Sequence, residues 1–302
     1  QKKKKAQTCV KKHTHTQTKA RFYPRQKHVV IIECHSLVHN PLRHRFVEGE
    51  GTLAETSGHW SEEAVGGHPC DVFEPAAMNE AGFVVLFLHG VHIGRLGENP
   101  YFTDQFNRHG LAVVSPITQR SWWTDRICAE FDTQVTAEQH VLENVLPYIE
   151  QRWGTKAPRV GLLGTSMGGQ GSLRFAYKYP ELFPVVAAIS PAIDYQRRFD
   201  QGDETLPLMY AEPEAARQDT ATLHVHPLNW PRHQFFCCDP TDADWYESSD
   251  RLQMKLASLG IPHECDMETE SGGHGFTYYN HMAARAIGFL AERLEAERRR
   301  LV

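Results

Sequence analysis

Several features are missing from this 302-residue chain, and each absence excludes a class of protein. No run of eighteen or more apolar residues occurs, so no membrane-spanning helix is expected. The first residues, opening with Lys2 to Lys5, have no apolar stretch of the kind a secretory signal needs, and a cytoplasmic setting is expected. The seven cysteines (Cys9, Cys34, Cys70, Cys128, Cys237, Cys238 and Cys265) are odd in number and show no CxxC spacing, which argues against a zinc site and against a disulfide framework. Free thiols in a reducing compartment are the simplest reading. His224 and His226 flank Val225, but no third ligand stands at a telling spacing, so no metal is expected and both are read as structural. No internal repeat is visible.

What is present is the composition of an ordinary globular protein, 41% apolar and 23% charged. Charge is unevenly spread. Residues 1–45 carry twelve Lys and Arg against one acid, Glu33, for +11, and the remainder must carry −16 to give the net −5. A basic head on an acidic body invites a nucleic-acid reading. Residues 1–28, however, are polar and have no apolar period, so they cannot bury enough surface to offset their ordering entropy. Residues 1–46 are therefore expected to be a disordered basic segment, with a short apolar stretch at Val29 to Ile32, and neither nucleic acid nor membrane is expected as a partner. Residues 47–302 are read as the folded domain, with order beginning near Glu48 to Gly58.

Within that domain, apolar runs alternate with helical periods. His68 to Phe73 alternates as an early strand. Phe83 to Leu88 is continuously apolar, the mark of a strand buried on both faces. Further strands are expected at Leu111–Ser115, Arg159–Leu163, Val185–Ile189, Gln234–Cys238 and His263–Met267. In the Gln234–Cys238 strand, Cys237 and Cys238 point to opposite faces. Helical spacing covers Val135–Arg152, Gly168–Lys178, Ser248–Leu259 and Asn280–Arg298. The alternation implies a mostly parallel sheet covered on both faces. Only Tyr195 to Arg232, rich in charge and proline, breaks the rhythm, and it is read as an insertion over the site.

The chemistry centres on Gly164-Thr165-Ser166-Met167-Gly168. A nucleophilic serine at a strand end must turn sharply into a helix, and the turn crowds the residues two before and two after, so both are glycine. Three fixed positions arise by chance in roughly one protein of this size in ten, so context decides. The motif follows an apolar strand and precedes a helix, as the mechanism requires. A serine hydroxyl needs a base, and among eighteen histidines position selects it: His274 lies in Gly272-Gly273-His274-Gly275, between the last strand and the last helix, with His281 in reserve. The acid should follow the preceding strand, where Asp239, Asp242 and Asp244 are all candidates. Asp239 is suited to an Asx turn before Pro240, and Asp242 is preferred for its reach to His274. Met167 and the Gly90–Val91 loop are expected to supply the oxyanion-hole N–H groups, while His89 is read as structural, its ring bonded within the loop. Trp122 and Trp123 are candidate substrate-binding residues, with Tyr101 and Phe102 on the other loop; packing at the domain edge is the equal alternative.

Leu88-His89-Gly90, the run Gly164-Thr165-Ser166-Met167-Gly168-Gly169-Gln170-Gly171-Ser172-Leu173-Arg174, and Tyr179-Pro180 through Ser190-Pro191 resemble the esterase D family. That family includes S-formylglutathione hydrolases, feruloyl and acetyl xylan esterases and mycolyltransferases. The resemblance spans about residues 80–295. It implies an α/β-hydrolase fold, no cofactor, a triad of Ser166, Asp242 and His274, and Met167 in the oxyanion hole. Two departures are visible: Asp239 stands where the family commonly has glycine, and Ser115-Pro116 continues as Ile117-Thr118-Gln119 rather than the Ser-Pro-Arg-Gly of S-formylglutathione hydrolases. The expected activity is hydrolysis of a small-molecule carboxylic ester through an acyl-enzyme. A thioesterase or acyltransferase on the same triad, and a non-catalytic binding protein of the same fold, are the alternatives.

Overall fold

The computed structural model describes residues 58–300. The basic segment 1–46 and the Val29–Ile32 stretch lie outside them. Eight strands form one sheet in the order β1-β2-β4-β3-β5-β6-β7-β8. Their ranges are β1 His59–Val65, β2 His68–Glu74, β3 Val84–Leu88, β4 Ala112–Pro116, β5 Val160–Thr165, β6 Val185–Ile189, β7 His233–Cys237 and β8 Glu264–Asp266. β1 and β2 pair antiparallel with each other, and β2 with β4; every other pairing is parallel. This is the α/β-hydrolase fold.

Parallel strands need both faces covered, and the side-chain alternation of β3 shows how that is met. Val84, Leu86 and Leu88 enter one core, and Val85 and Phe87 the opposite one, all fully buried. Each such side chain contributes on the order of 1.5–3 kcal/mol relative to exposure. On the Val85 face pack α1 (Pro100–Arg108), through Phe102 and Phe106, and α10 (Phe276–Arg300), through Tyr278, Met282, Ile287 and Leu290. On the Leu86 face pack α2 (Ala137–His140), a π-helical stretch (Val141–Val145), α3 (Leu146–Trp153) and α4 (Met167–Lys178). Cys237 and Cys238 fall in opposite cores, as their alternation implies.

The helix read from Val135 to Arg152 is thus not uniformly α. Pro147 stands at the first turn of α3. Proline has no N–H to donate and its ring crowds the carbonyl four residues back, and the widened turn immediately before it accommodates that defect. β1 was not legible because HWSEEAV is largely polar and lies at the sheet edge. α1 has no long apolar period to mark it in the sequence; Asn99 caps it by accepting from the N–H groups of Tyr101 and Phe102.

The insertion between β6 and β7 holds four short helices: α5 (Tyr195–Asp200), α6 (Leu206–Met209), α7 (Pro213–Gln218) and α8 (Ala221–His224). It is fastened to the body through the buried Arg174 of α4, which pairs with Glu138 of α2 and with Asp219 at 2.7 Å. Asp219 also accepts from Tyr210 Oη at 2.6 Å and meets His224 at 2.9 Å. His224 therefore serves the insertion, while His226 accepts from the Leu228 N–H. α9 (Tyr246–Ser258) completes the elements. Among the described residues, no helix is long and apolar enough to cross a membrane.

Candidate active site

Ser166 occupies the turn between β5 and α4 with φ 54° and ψ −118°. That is a left-handed conformation a non-glycine residue holds only when its surroundings enforce it. The flanking glycines are the enforcement. A Cβ at Gly164 would lie 2.1 Å from Gly168 O, and one at Gly168 would lie 1.8 Å from Leu88 O. Both obstacles are backbone atoms, so no rotamer change relieves them. The side chain of Ser166 is thereby lifted above the strand ends and stays 7% exposed in an otherwise buried turn.

Ser166 Oγ lies 2.9 Å from His274 Nε2, and His274 Nδ1 lies 2.7 Å from Asp242 Oδ2. Asp242 is almost wholly buried. Its Oδ1 accepts the N–H groups of Asp244 (3.2 Å) and Trp245 (3.1 Å). Its Oδ2 also accepts from the Cys238 thiol at 3.6 Å. A carboxylate held by donors on both oxygens accepts a hydrogen bond from the Nδ1–H of the imidazole, leaving Nε2 as the acceptor that faces Ser166. The three aspartates following β7 thus separate. Asp244 is exposed, with Arg197 3.5 Å away. Asp239 does form the Asx turn, its Oδ1 accepting from the Thr241 N–H and hydroxyl at 2.7 Å each.

Asp239 has a second task that its position in the sequence did not disclose. Its Oδ2 accepts the N–H groups of Ser271 (2.6 Å) and Gly273 (2.9 Å), pinning the loop that carries His274. Burial opposes ionisation there, but these donors outweigh it and hold the carboxyl down at about 2. His281 is exposed on α10.

Met167 is the first residue of α4 and is fully buried. Gly90 packs against the nucleophile, for a Cβ there would stand 3.3 Å from Ser166 Cβ. His89 braces this loop from beneath. Its Nδ1–H donates to Gly90 O at 2.8 Å, and its Nε2 accepts the Thr118 N–H at 3.1 Å. Burial lowers its pKa to about 4, so the ring is neutral and the tautomer fixed. Trp123 is placed otherwise than as a pocket wall: it is fully buried and donates from Nε1 to His89 O at 3.1 Å. Trp122 does line the cavity. Phe102 is core and Tyr101 is exposed on α1.

The cavity above Ser166 holds about 470 Å³. Val91, Trp122, Ala192 and Trp245 give it apolar contacts, but much of its wall is charged: Arg120, Arg198, Asp203, Glu204 and Asp244. Arg198, Asp203 and Glu204 come from the insertion, which therefore shapes the entrance as its position in sequence suggested.

A buried carboxylate, an imidazole and a strained serine in hydrogen-bond series define a serine hydrolase. Comparison with known families agrees. The family described as "Putative esterase" matches residues 76–286, and the chain belongs to that esterase family. Among solved structures, it is similar to the S-formylglutathione hydrolase from Agrobacterium tumefaciens, with TM-score 0.64 and 18% identity, over 78% of this chain and 94% of that one. It is also similar to FphF, a fluorophosphonate-binding serine hydrolase of Staphylococcus aureus, with TM-score 0.62 and 17% identity, over 78% and 99%. A ferulic acid esterase gives TM-score 0.64 at 15% identity, over 78% and 98%. Identities this low speak for the fold alone. A comparison with curated protein sequences gives no match.

Proposed function

We propose that this chain hydrolyses small, polar carboxylic esters through an acyl-enzyme on Ser166. The observation that carries the proposal is the unbroken series Ser166 Oγ, His274 Nε2, His274 Nδ1, Asp242 Oδ2, with separations of 2.9 and 2.7 Å. In the first step Ser166 Oγ bonds to the ester carbonyl carbon as His274 Nε2 takes its proton. The imidazolium then passes that proton to the leaving alkoxide as the C–O bond breaks. Water adds in the second step, losing a proton to the same nitrogen, and Ser166 regains it as the acid departs. Asp242 stabilises the imidazolium without accepting the proton.

We assign the oxyanion hole to the N–H of Met167 and to the Gly90–Val91 loop. Met167 begins a helix, Gly90 abuts Ser166 and Val91 lines the cavity, the placement that developing negative charge requires. We assign Trp122 to the substrate wall. The charged lining favours a polar substrate over a long aliphatic chain, because seating methylenes against Arg198, Asp203 or Glu204 would strip water from charges without recompense. We further place the protein in a reducing compartment, the cytoplasm, in keeping with the free thiols of Cys70, Cys128, Cys237, Cys238 and Cys265.

The test is hydrolysis of p-nitrophenyl esters from acetate to dodecanoate by wild type and Ser166→Ala. Activity should be greatest on the shortest esters and vanish in the variant. Equal turnover by both proteins would overturn the assignment of Ser166, and a preference for dodecanoate would overturn the polar-substrate reading.

A further inference from the structure

His274 Nε2 has two hydroxyl neighbours, not one. Tyr279 Oη lies 2.9 Å from it, the same separation as Ser166 Oγ. Tyr279 stands in the first turn of α10, five residues after the histidine, is 5% exposed, and sets its ring edge-on to the imidazole at 5.6 Å and 89°. The neutral imidazole has given its only N–H to Asp242, so Nε2 offers one lone pair and both hydroxyls can act there only as donors. Burial pushes the phenol well above its ordinary range, with the Ser166 hydroxyl pulling the other way, so Tyr279 keeps its proton at any working pH.

We infer that Tyr279 is a positioning residue for His274, whose hydroxyl occupies Nε2 in each state of the cycle in which Ser166 cannot. In the free enzyme Ser166 donates to Nε2 and is activated. In the acyl-enzyme Ser166 has no proton left, and the Tyr279 hydroxyl donates to Nε2 instead, holding the ring in place until the incoming water displaces it from the lone pair. When Nε2 is protonated, the same hydroxyl turns and accepts. No bond is made to Tyr279 and no proton is lost from it. A phenol is a better donor than acceptor, so its hydrogen bond to Nε2 is the stronger of the two when that nitrogen carries no proton.

The inference rests on His274 being the general base, and the experiment separates the two. Tyr279→Phe keeps the ring and deletes the hydroxyl. With p-nitrophenyl acetate, kcat should fall about two- to tenfold, the worth of one net hydrogen bond, with KM little changed. The acid limb of the kcat/KM profile should move to higher pH. Replacing Tyr279 with 3-fluorotyrosine, a stronger donor of the same shape, should move that limb the opposite way and covers the case in which the phenylalanine variant folds poorly. An acid limb that stays fixed in both proteins, while Ser166→Ala is inactive, would overturn the role of Tyr279 and leave the triad standing. Activity in Ser166→Ala would instead remove the reading on which it rests.

Discussion

Replacing Asp242 with asparagine changes one atom and should nearly abolish the reaction, and the surrounding hydrogen bonds say why. Oδ1 receives two backbone N–H groups, from Asp244 and Trp245. An amide NH₂ there would face two donors, so the asparagine must keep its carbonyl at that position. Its NH₂ then points at His274 Nδ1, which must accept rather than donate. That forces the imidazole proton onto Nε2, the atom that has to receive the Ser166 proton. Loss of a charge-assisted hydrogen bond alone would cost about 1.5–3 kcal/mol, or roughly ten- to 150-fold in rate. A wrong tautomer costs more, about 10³- to 10⁴-fold, equivalent to about 4–5.5 kcal/mol. The assay is kcat/KM for p-nitrophenyl acetate at pH 7.5, with circular dichroism showing the fold intact. A loss smaller than about 150-fold would refute the tautomer argument and leave Asp242 as an ordinary tether.

Four further outcomes follow from the same geometry. Gly168→Ala must displace the Leu88 carbonyl, 1.8 Å from the new Cβ, and should cost more than about 4 kcal/mol, seen as lost folded yield or a collapsed melting temperature. Gly288→Ala, with open space around its Cβ in α10, should gain about 0.5–1 kcal/mol by the same measurement. Asp239 has a folded pKa of about 2 against an ordinary value near 3.8, so its ionised form contributes about 2–2.5 kcal/mol of stability. That contribution is full above pH ~4 and lost as pH falls towards about 2; urea unfolding of wild type and Asp239→Asn should therefore differ most at neutral pH and converge in acid. Arg174→Met leaves Glu138 and Asp219 without their shared cation and should destabilise by about 3–5 kcal/mol, measured by urea unfolding at pH 7.

The nucleophile was readable because it is bracketed by glycines whose spacing has a steric cause, and its base because it stands among glycines held at positive φ. Gly164 and Gly168 meet backbone within van der Waals contact, and the loop of Gly272 and Gly273 sits between the last strand and helix. The buried parallel strands were equally legible, since Val84 to Leu88 must satisfy two cores at once and so cannot alternate. The acid was harder. Asp239, Asp242 and Asp244 are chemically identical in the sequence and differ only in which distant N–H groups they meet. Asp239 is held by Ser271 and Gly273, more than thirty residues away, a relation no local pattern carries. Trp123 illustrates the same limit, for an aromatic on a loop beside the site can as well support the His89 carbonyl as face substrate. Tyr279 was missed because α10 begins at Phe276, four residues before the helical period starts. The first turn of that helix is set by the site rather than by its apolar stripe.

The central claim is that Ser166 attacks an acyl carbon with His274 as its base, and it is tested most directly by trapping the nucleophile. Wild type and Ser166→Ala should be treated with a fluorophosphonate, digested and mapped by mass spectrometry. A single adduct on Ser166, formed with loss of fluoride and absent from the variant, is the result this structure predicts. An adduct on another residue, or equal labelling of the two proteins, would contradict it.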